Sequence, residues 1–409
     1  MNERLIVKSF GPVKELDIVF KSITILIGDQ GTGKSCIAKL FSMFKWLEKE
    51  LVMQRQKSSY YESYNRFSSM LCRYHQLESF IKEDTTYIKY EGEKYSFEYD
   101  NSRFHIFDNG GDIMLLPKII YIPAERAILS VAENKSRLLK ELPASCDTFQ
   151  DVFSDAKKNF KRGYNLPFGE LHYEYDSLND ISRISGKGYE ENPVKLTHAS
   201  RGIQSALPLC LVSEYLSRKI LEKEETKLSK EEKSKMEKQI SEIMDNDAYT
   251  ESVKEIMLKK ISSLNRYGCF VNITEEPELN LFPKSQMGVI QSLVKNNNSS
   301  QGNKLVITTH SPYTLAILNL LIIAAKTYDK GDEETKKEVE SILPVQYHIG
   351  KDHLAAYSLN EGDDETPYCK SIISETTGMI AKNDLDSISE TISMEFNKLY
   401  RLYAKSNKQ

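Results

Sequence analysis

The sequence predicts an α/β fold: a mixed core sheet flanked by helices, with an antiparallel β lobe at its start and helical insertions. Three segments predict it. Each is a short apolar run that ends in polar residues: Ile23–Ile27 before Gly28, Phe270–Ile273 before Thr274 and Glu275, and Leu305–Ile307 before Thr308. Runs of that length, bounded by turn residues, read as buried strands. The stretches Cys36–Phe41 and Leu315–Ala325, after the first and third, are helical in pattern.

The first element is strand-like Leu5–Lys8, and Phe10-Gly11-Pro12 marks a turn. Leu16–Phe20 alternates apolar and polar with period two, as a half-buried strand does. From Phe41 to about Lys82 the pattern is helical and rich in Tyr, Ser and Lys, and Thr86–Phe107 alternates again as a hairpin. Residues 42–115 are therefore expected as an insertion, helical plus hairpin. Lys118–Ile122 is a short buried strand ending at Pro123-Ala124-Glu125-Arg126, with a helix after it. Residues 157–183 carry no clear pattern. A Gly/Pro connection over 186–193 leads to a helix from about Ile203 to Leu221. Residues 222–262 are strongly charged and read as an exposed helical projection. Asn296–Ser300 reads as a polar loop, Val345–Ile349 and Ala355–Leu359 as strands, and helices close the chain. No fixed period recurs, and 1–409 is expected as one domain.

Composition bounds the function. The chain has 409 residues, 40% hydrophobic and 28% charged, with a net charge of −4. No global field draws it to nucleic acid or to an anionic membrane. Its six cysteines form no C-x-x-C pair and read as reduced thiols of a cytoplasmic protein. Met1-Asn2-Glu3-Arg4 runs straight into strand-like sequence, so no secretion signal is expected. Leu315–Ala325 is too short to span a bilayer and reads as a core helix.

The chemistry sits at the strand ends. Gly28-Asp29-Gln30-Gly31-Thr32-Gly33-Lys34-Ser35 fits G-x-x-x-x-G-K-[ST] between a strand and a helix, the context of a P-loop. Its glycines let backbone N–H groups converge on phosphate oxygens, and the helix N-terminus adds a favourable dipole. Lys34 would reach the β- and γ-phosphates and the Ser35 hydroxyl would hold Mg²⁺. Glu275 and Glu276 offer adjacent carboxylates, one for Mg²⁺ and one to polarise an attacking water, with Glu278 on the following turn. His310, at the end of the next strand, can hydrogen-bond a γ-phosphate. Lys157–Tyr164 mixes basic and aromatic residues, as a nucleic-acid grip or as an exposed helix end; the negative net charge favours the latter. Asp332-Glu333-Glu334 and Asp363-Asp364-Glu365 read as solvated turns.

This ordered set resembles the ABC-type ATPase heads of the SMC, RecF and OLD group. It is most similar to the stand-alone AAA/ABC-like ATPases of bacterial antiphage defence systems, such as the PARIS or Septu ATPases. Phe10-Gly11-Pro12, Ile23–Ser35 and the Tyr121–Arg126 segment at the Q-loop position carry the resemblance, which covers nearly the whole chain. It implies a P-loop NTPase with an ABC/SMC-like head. It also implies ATP and Mg²⁺ as cofactors, the nucleotide held by Gly28, Gly31, Gly33, Lys34, Ser35 and Cys36. Ser35 and Glu275 take the metal, Glu276 is the catalytic base and His310 the switch histidine.

Three positions depart from the family pattern. Glu275 stands where Asp is commoner, and Phe282 replaces a His. The signature row is Ser200-Arg201-Gly202-Ile203, with Gln204 one place late. By the same resemblance Ser200 and Gly202 complete the nucleotide site of a second copy, so a head-to-tail homodimer or higher homo-oligomer is expected. The family also implies a sensor or scaffold role controlling a separate effector, a nuclease or toxin, with nucleic acid open as a partner and no membrane. The alternative is a RecF-like repair ATPase that clamps DNA, which expects ATP-dependent, salt-sensitive DNA binding.

Overall fold

The structure, a computed structural model, describes residues 3–111, 115–131, 141–222, 266–360, 362 and 367–406, and between 223 and 265 only 234, 238, 240–246, 249–254 and 257. The expected projection over 222–262 and the acidic run at 363–365 thus lie largely or wholly outside the described residues.

Strand β1 (Glu3–Phe10) turns back at Gly11 into antiparallel β2 (Val13–Phe20). Strand β3 (Ile23–Gly28) is buried throughout and feeds the P-loop, from which helix α1 (Lys34–Val52) emerges. After α1 come the short helix α2 (Ser58–Glu62) and single turns of π and 3₁₀ helix to Phe80, so the expected helical pattern to Lys82 is broken into short pieces. Packing overrides local preference there: Phe67 stacks on Tyr99 and Phe104 at 4.5 and 4.7 Å between ring centroids. The expected hairpin gains a strand. β4 (Tyr87–Glu91), β5 (Tyr95–Asp100) and β6 (Arg103–Asp108) join β1 in an antiparallel sheet ordered β2-β1-β4-β5-β6.

Strand β7 (Pro117–Ile122) leads into helix α3 (Arg126–Val131), and helix α4 (Ala144–Asn159) follows. Residues without a sequence pattern form a small antiparallel sheet of β8 (Tyr164–Asn165), β9 (Leu171–Asp176), β10 (Ile181–Gly186) and β11 (Val194–Lys195). Lys157, in the basic-aromatic segment, is buried there, with Nζ 2.8 Å from Asp180 and set over the rings of Phe153 and Tyr175.

Helix α5 (Arg201–Leu221), strand β12 (Cys269–Glu275), helix α6 (Pro283–Asn298), strand β13 (Lys304–Thr308) and helix α7 (Pro312–Lys330) then build the core. The expected polar loop at 296–300 is instead the end of α6. The Asn297 amide donates to Ser22 Oγ at 2.9 Å, and Asn298 donates to the carbonyls of Gln346 and His348 at 3.0 and 2.8 Å. Those bonds also explain why Val345–Ile349 is a turn, not the strand its residues suggest. Its carbonyls are satisfied by a helix side chain, with no neighbouring strand required. Asp332, expected in a solvated turn, caps helix α8 (Glu333–Ile342), its Oδ1 accepting the Thr335 N–H at 2.9 Å. Strands β14 (Leu354–Leu359) and β15 (Cys369–Ser371) and helix α9 (Asp384–Ser406) complete the chain.

The central sheet is ordered β15-β14-β3-β13-β12-β7, parallel except at β15. Alternation along each strand sends side chains to opposite faces. Ile25, Ile27, Phe270 and Ile307 pack in one core with α4 to α7. Leu26, Val271, Ile273 and Val306 pack in the other, with α1 and the N-terminal lobe. Among the described residues no helix is long and apolar enough to cross a membrane. All six cysteines are free, and five are buried.

Candidate active site

Parallel pairing decides what meets at the sheet edge. The register sets Leu26 of β3 beside Thr308 of β13, and Thr308 beside Glu275 of β12. One strand therefore separates the P-loop from the carboxylate pair, and all three strands end together. Open α/β sheets hold ligands beyond such carboxyl ends.

The P-loop turns through Gly28, Gly31 and Gly33, all at positive φ. At Gly33, with φ +87°, a Cβ would lie 2.6 Å from Val13 Cγ2, so only glycine fits under the N-terminal lobe. The Tyr368 hydroxyl donates to the Thr32 carbonyl oxygen and ties the loop to the far end of the sheet. Lys34 is buried, and its ammonium donates to the carbonyl oxygens of Gly28 and Asp29 at 2.8 and 2.7 Å. Burial holds its pKa below the ordinary lysine value, while the charges of Glu276, Asp29, Glu275 and Glu278 oppose that shift. Ser35 is exposed and Cys36 buried at the start of α1.

The two carboxylates diverge. Glu275 is buried; its Oε2 accepts the Ala124 N–H at 3.3 Å, while Oε1 has no partner. Glu276 is half-buried and sits at φ +41°, a left-handed conformation that costs a non-glycine residue ~1–3 kcal/mol. Its backbone is held on both sides. The Glu276 N–H donates to Thr308 O at 2.9 Å, and its carbonyl accepts from Arg126 Nη2 at 2.5 Å. The side chain is thereby turned toward His310, with Oε1 3.9 Å from Nε2. Burial and the Lys34 charge lower the His310 pKa below the usual histidine value, Glu276 opposing, so the ring is neutral at pH 7.

Two supporting residues were not assigned from sequence. Arg126 is wholly buried, and its guanidinium also donates to Ser205 O, Pro123 O and Glu275 O at 3.1, 3.0 and 2.6 Å. Burial lowers its pKa to about 10 against the pull of Glu278, Glu275 and Glu276. Glu278 Oε1 accepts from Thr309 Oγ1 at 2.7 Å and from the His310 N–H at 2.8 Å, fixing the histidine backbone. Its place two residues after the pair was the signal in the sequence; for Arg126 the signal was only a charge in a buried strand-to-helix turn.

Ser200 and Gly202 are elsewhere. Ser200 is exposed and caps α5, its Oγ accepting the Ile203 N–H at 3.4 Å. A Cβ on Gly202 would lie 2.7 Å from Asn280 O, so the signature turn packs on the loop after Glu278. Among the described residues neither bonds to the P-loop of the same chain.

No curated protein matches the sequence. The SMC head domain from Thermotoga maritima is similar at 13% identity, covering 77% of this chain and 91% of its own, with a TM-score of 0.34. An SMC head bound to the C-terminal winged-helix domain of ScpA is similar at 11% identity, covering 92% and 98%, with a TM-score of 0.36. Residues 113–315, which hold both carboxylates, His310 and the signature turn but not the P-loop, match the family model described as AAA ATPase domain.

Proposed function

We propose that the chain hydrolyses ATP to ADP and phosphate and works as a nucleotide switch. The observation that carries this reading is the convergence of Lys34, Glu276 and His310 at one sheet edge, with Glu276 held in a left-handed turn from both sides. The Lys34 ammonium exchanges two carbonyl oxygens for the β- and γ-phosphates. Glu276 accepts the proton of the attacking water, and neutral His310 beside it orients that water against the γ-phosphate.

The buried, partnerless Oε1 of Glu275 fits a divalent cation, since an orphaned carboxylate oxygen is costly without a positive partner. Mg²⁺ held by Glu275 and Ser35 would supply charge neutralisation at the phosphates.

Ser200 and Gly202 stand at an exposed helix N-terminus away from their own P-loop, which supports a site completed by a second copy. Closure of such a homodimer is the switch, and a separate effector reads it. The resemblance of the motif set to antiphage ATPases supports a place in a bacterial defence system. Glu276→Gln tests the core of this: ATP binding should survive while hydrolysis falls about a hundredfold or more. Turnover at the wild-type rate would refute the assignment.

A further inference from the structure

Against β7, the edge strand next to β12, lies a cavity of about 420 Å³, bounded by α1, the turns at Met70–His75 and α4. That volume falls in the range of small-molecule sites, and its walls are mostly apolar and flat or polarisable: Met43, Trp46, Met70 and Tyr74. Its polar groups are unusual. His75 is completely buried, and neither ring nitrogen has a hydrogen-bond partner. The Ser145 hydroxyl, on a buried residue lining the same space, is also without a partner. Native proteins rarely leave two such groups around one void unless something else satisfies them.

Charge narrows the occupant. Lys49 lines the cavity and makes no ion pair among the described residues. Burial lowers its pKa to about 8, Glu50 opposing and Lys118 and Arg55 adding to the fall. Lys118 lines the same space. His75 is neutral, its pKa pushed down to about 3 by burial and then by Lys39, so it offers one donor and one acceptor.

We propose that this cavity is a second ligand site, for a flat aromatic molecule carrying one anionic group: the ring against Trp46 and the methionines, its polar edge on His75 and Ser145, the anion at Lys49. The site also touches the ATPase centre. The Tyr121 hydroxyl lies by the Glu275 carboxylate, and burial followed by that charge raises its pKa well above the ordinary value. An occupant bonding Tyr121 perturbs Glu275, so the ligand is an effector. This coupling rests on the ATPase reading; the site does not.

Trp46 is the one tryptophan of the chain and reports directly on the cavity. The probe is 1-anilinonaphthalene-8-sulfonate, titrated into the full-length folded protein without nucleotide and read by energy transfer from Trp46. One saturable equivalent is expected, weakened about tenfold in Lys49→Met and in Ser145→Phe, which narrows the space. The uncharged N-phenyl-1-naphthylamine should bind about tenfold more weakly than the sulfonate. Thermal melts of each variant separate lost binding from lost folding. Non-saturable transfer, or equal binding by both variants and by the uncharged analogue, would overturn the site. At saturating probe the ATPase rate should change in the wild type and stay flat in Tyr121→Phe. Probe binding with no change of rate in the wild type refutes the coupling, and a chain that binds the probe but never hydrolyses ATP refutes the hydrolytic reading alone.

Discussion

Lys34 and Arg126 are both buried cations, yet the chain uses them differently. Lys34 donates to two carbonyls of its own loop, bonds a phosphate can replace. Lys34→Ala should leave the fold intact and weaken ATP binding by ~1.5–3 kcal/mol, roughly ten- to a hundredfold, read by calorimetric titration. Arg126 holds the backbone oxygens of Pro123, Ser205, Glu275 and Glu276 together. Arg126→Met would remove the guanidinium from all four oxygens, leaving Pro123 O and Glu276 O only the backbone N–H groups of residue 126 and Leu279. We expect a loss of ~3–5 kcal/mol in denaturant unfolding, larger than for any change at exposed Ser200. The motif residues were legible one by one because each chemistry demands its side chain at a set spacing. Arg126 was not, because it binds main-chain atoms of segments about 80 and 150 positions away, and no local pattern records that.

Between elements, the lobe and the core sheet are joined by charge as well as by packing. Glu3 of β1 is buried with Lys45 of α1 at 2.5 Å and Lys304 of β13 at 2.9 Å. Burial alone would raise the Glu3 pKa, but the charges of Lys45 and Lys304 outweigh it and lower the value to about 2 from 4.5. A depressed carboxylate contributes its full stability above 4.5 and loses it as the pH falls toward 2. Wild-type stability should therefore drop across that window. Glu3→Gln should be less stable at pH 7 and show a flatter acid profile, measured by urea titration at several pH values. Strands and helices of strong period were readable: β1, β2, β3, β12, β13 and α7 stand where their patterns put them. The segment after α1 and the Val345–Ile349 turn were not, because their conformation follows from aromatic stacking and from an asparagine on another helix.

At the level of assembly, the signature turn is the deciding feature. It packs on the loop after Glu278, so the proposed nucleotide site has a short path to it. Ser200→Arg, at an exposed cap, should cost at most ~2 kcal/mol of stability. It should nonetheless abolish ATP-dependent dimerisation in a Glu276→Gln background, read by light scattering. A dimer that still forms on ATP would count against the composite site.

Spacing alone put the proposed chemistry in view: a glycine loop with a lysine, a carboxylate pair and a histidine, each at a strand end. It did so because phosphate binding needs backbone N–H groups and one charge at a short, regular interval. Folding decided which strand ends are neighbours. The insertion of β13 between β3 and β12 sets His310 beside Glu276, and the cavity at Tyr121 exists only because α4 packs across β7. Neither follows from any local run of residues, since strand order and helix packing are settled by burial of apolar faces across the whole chain.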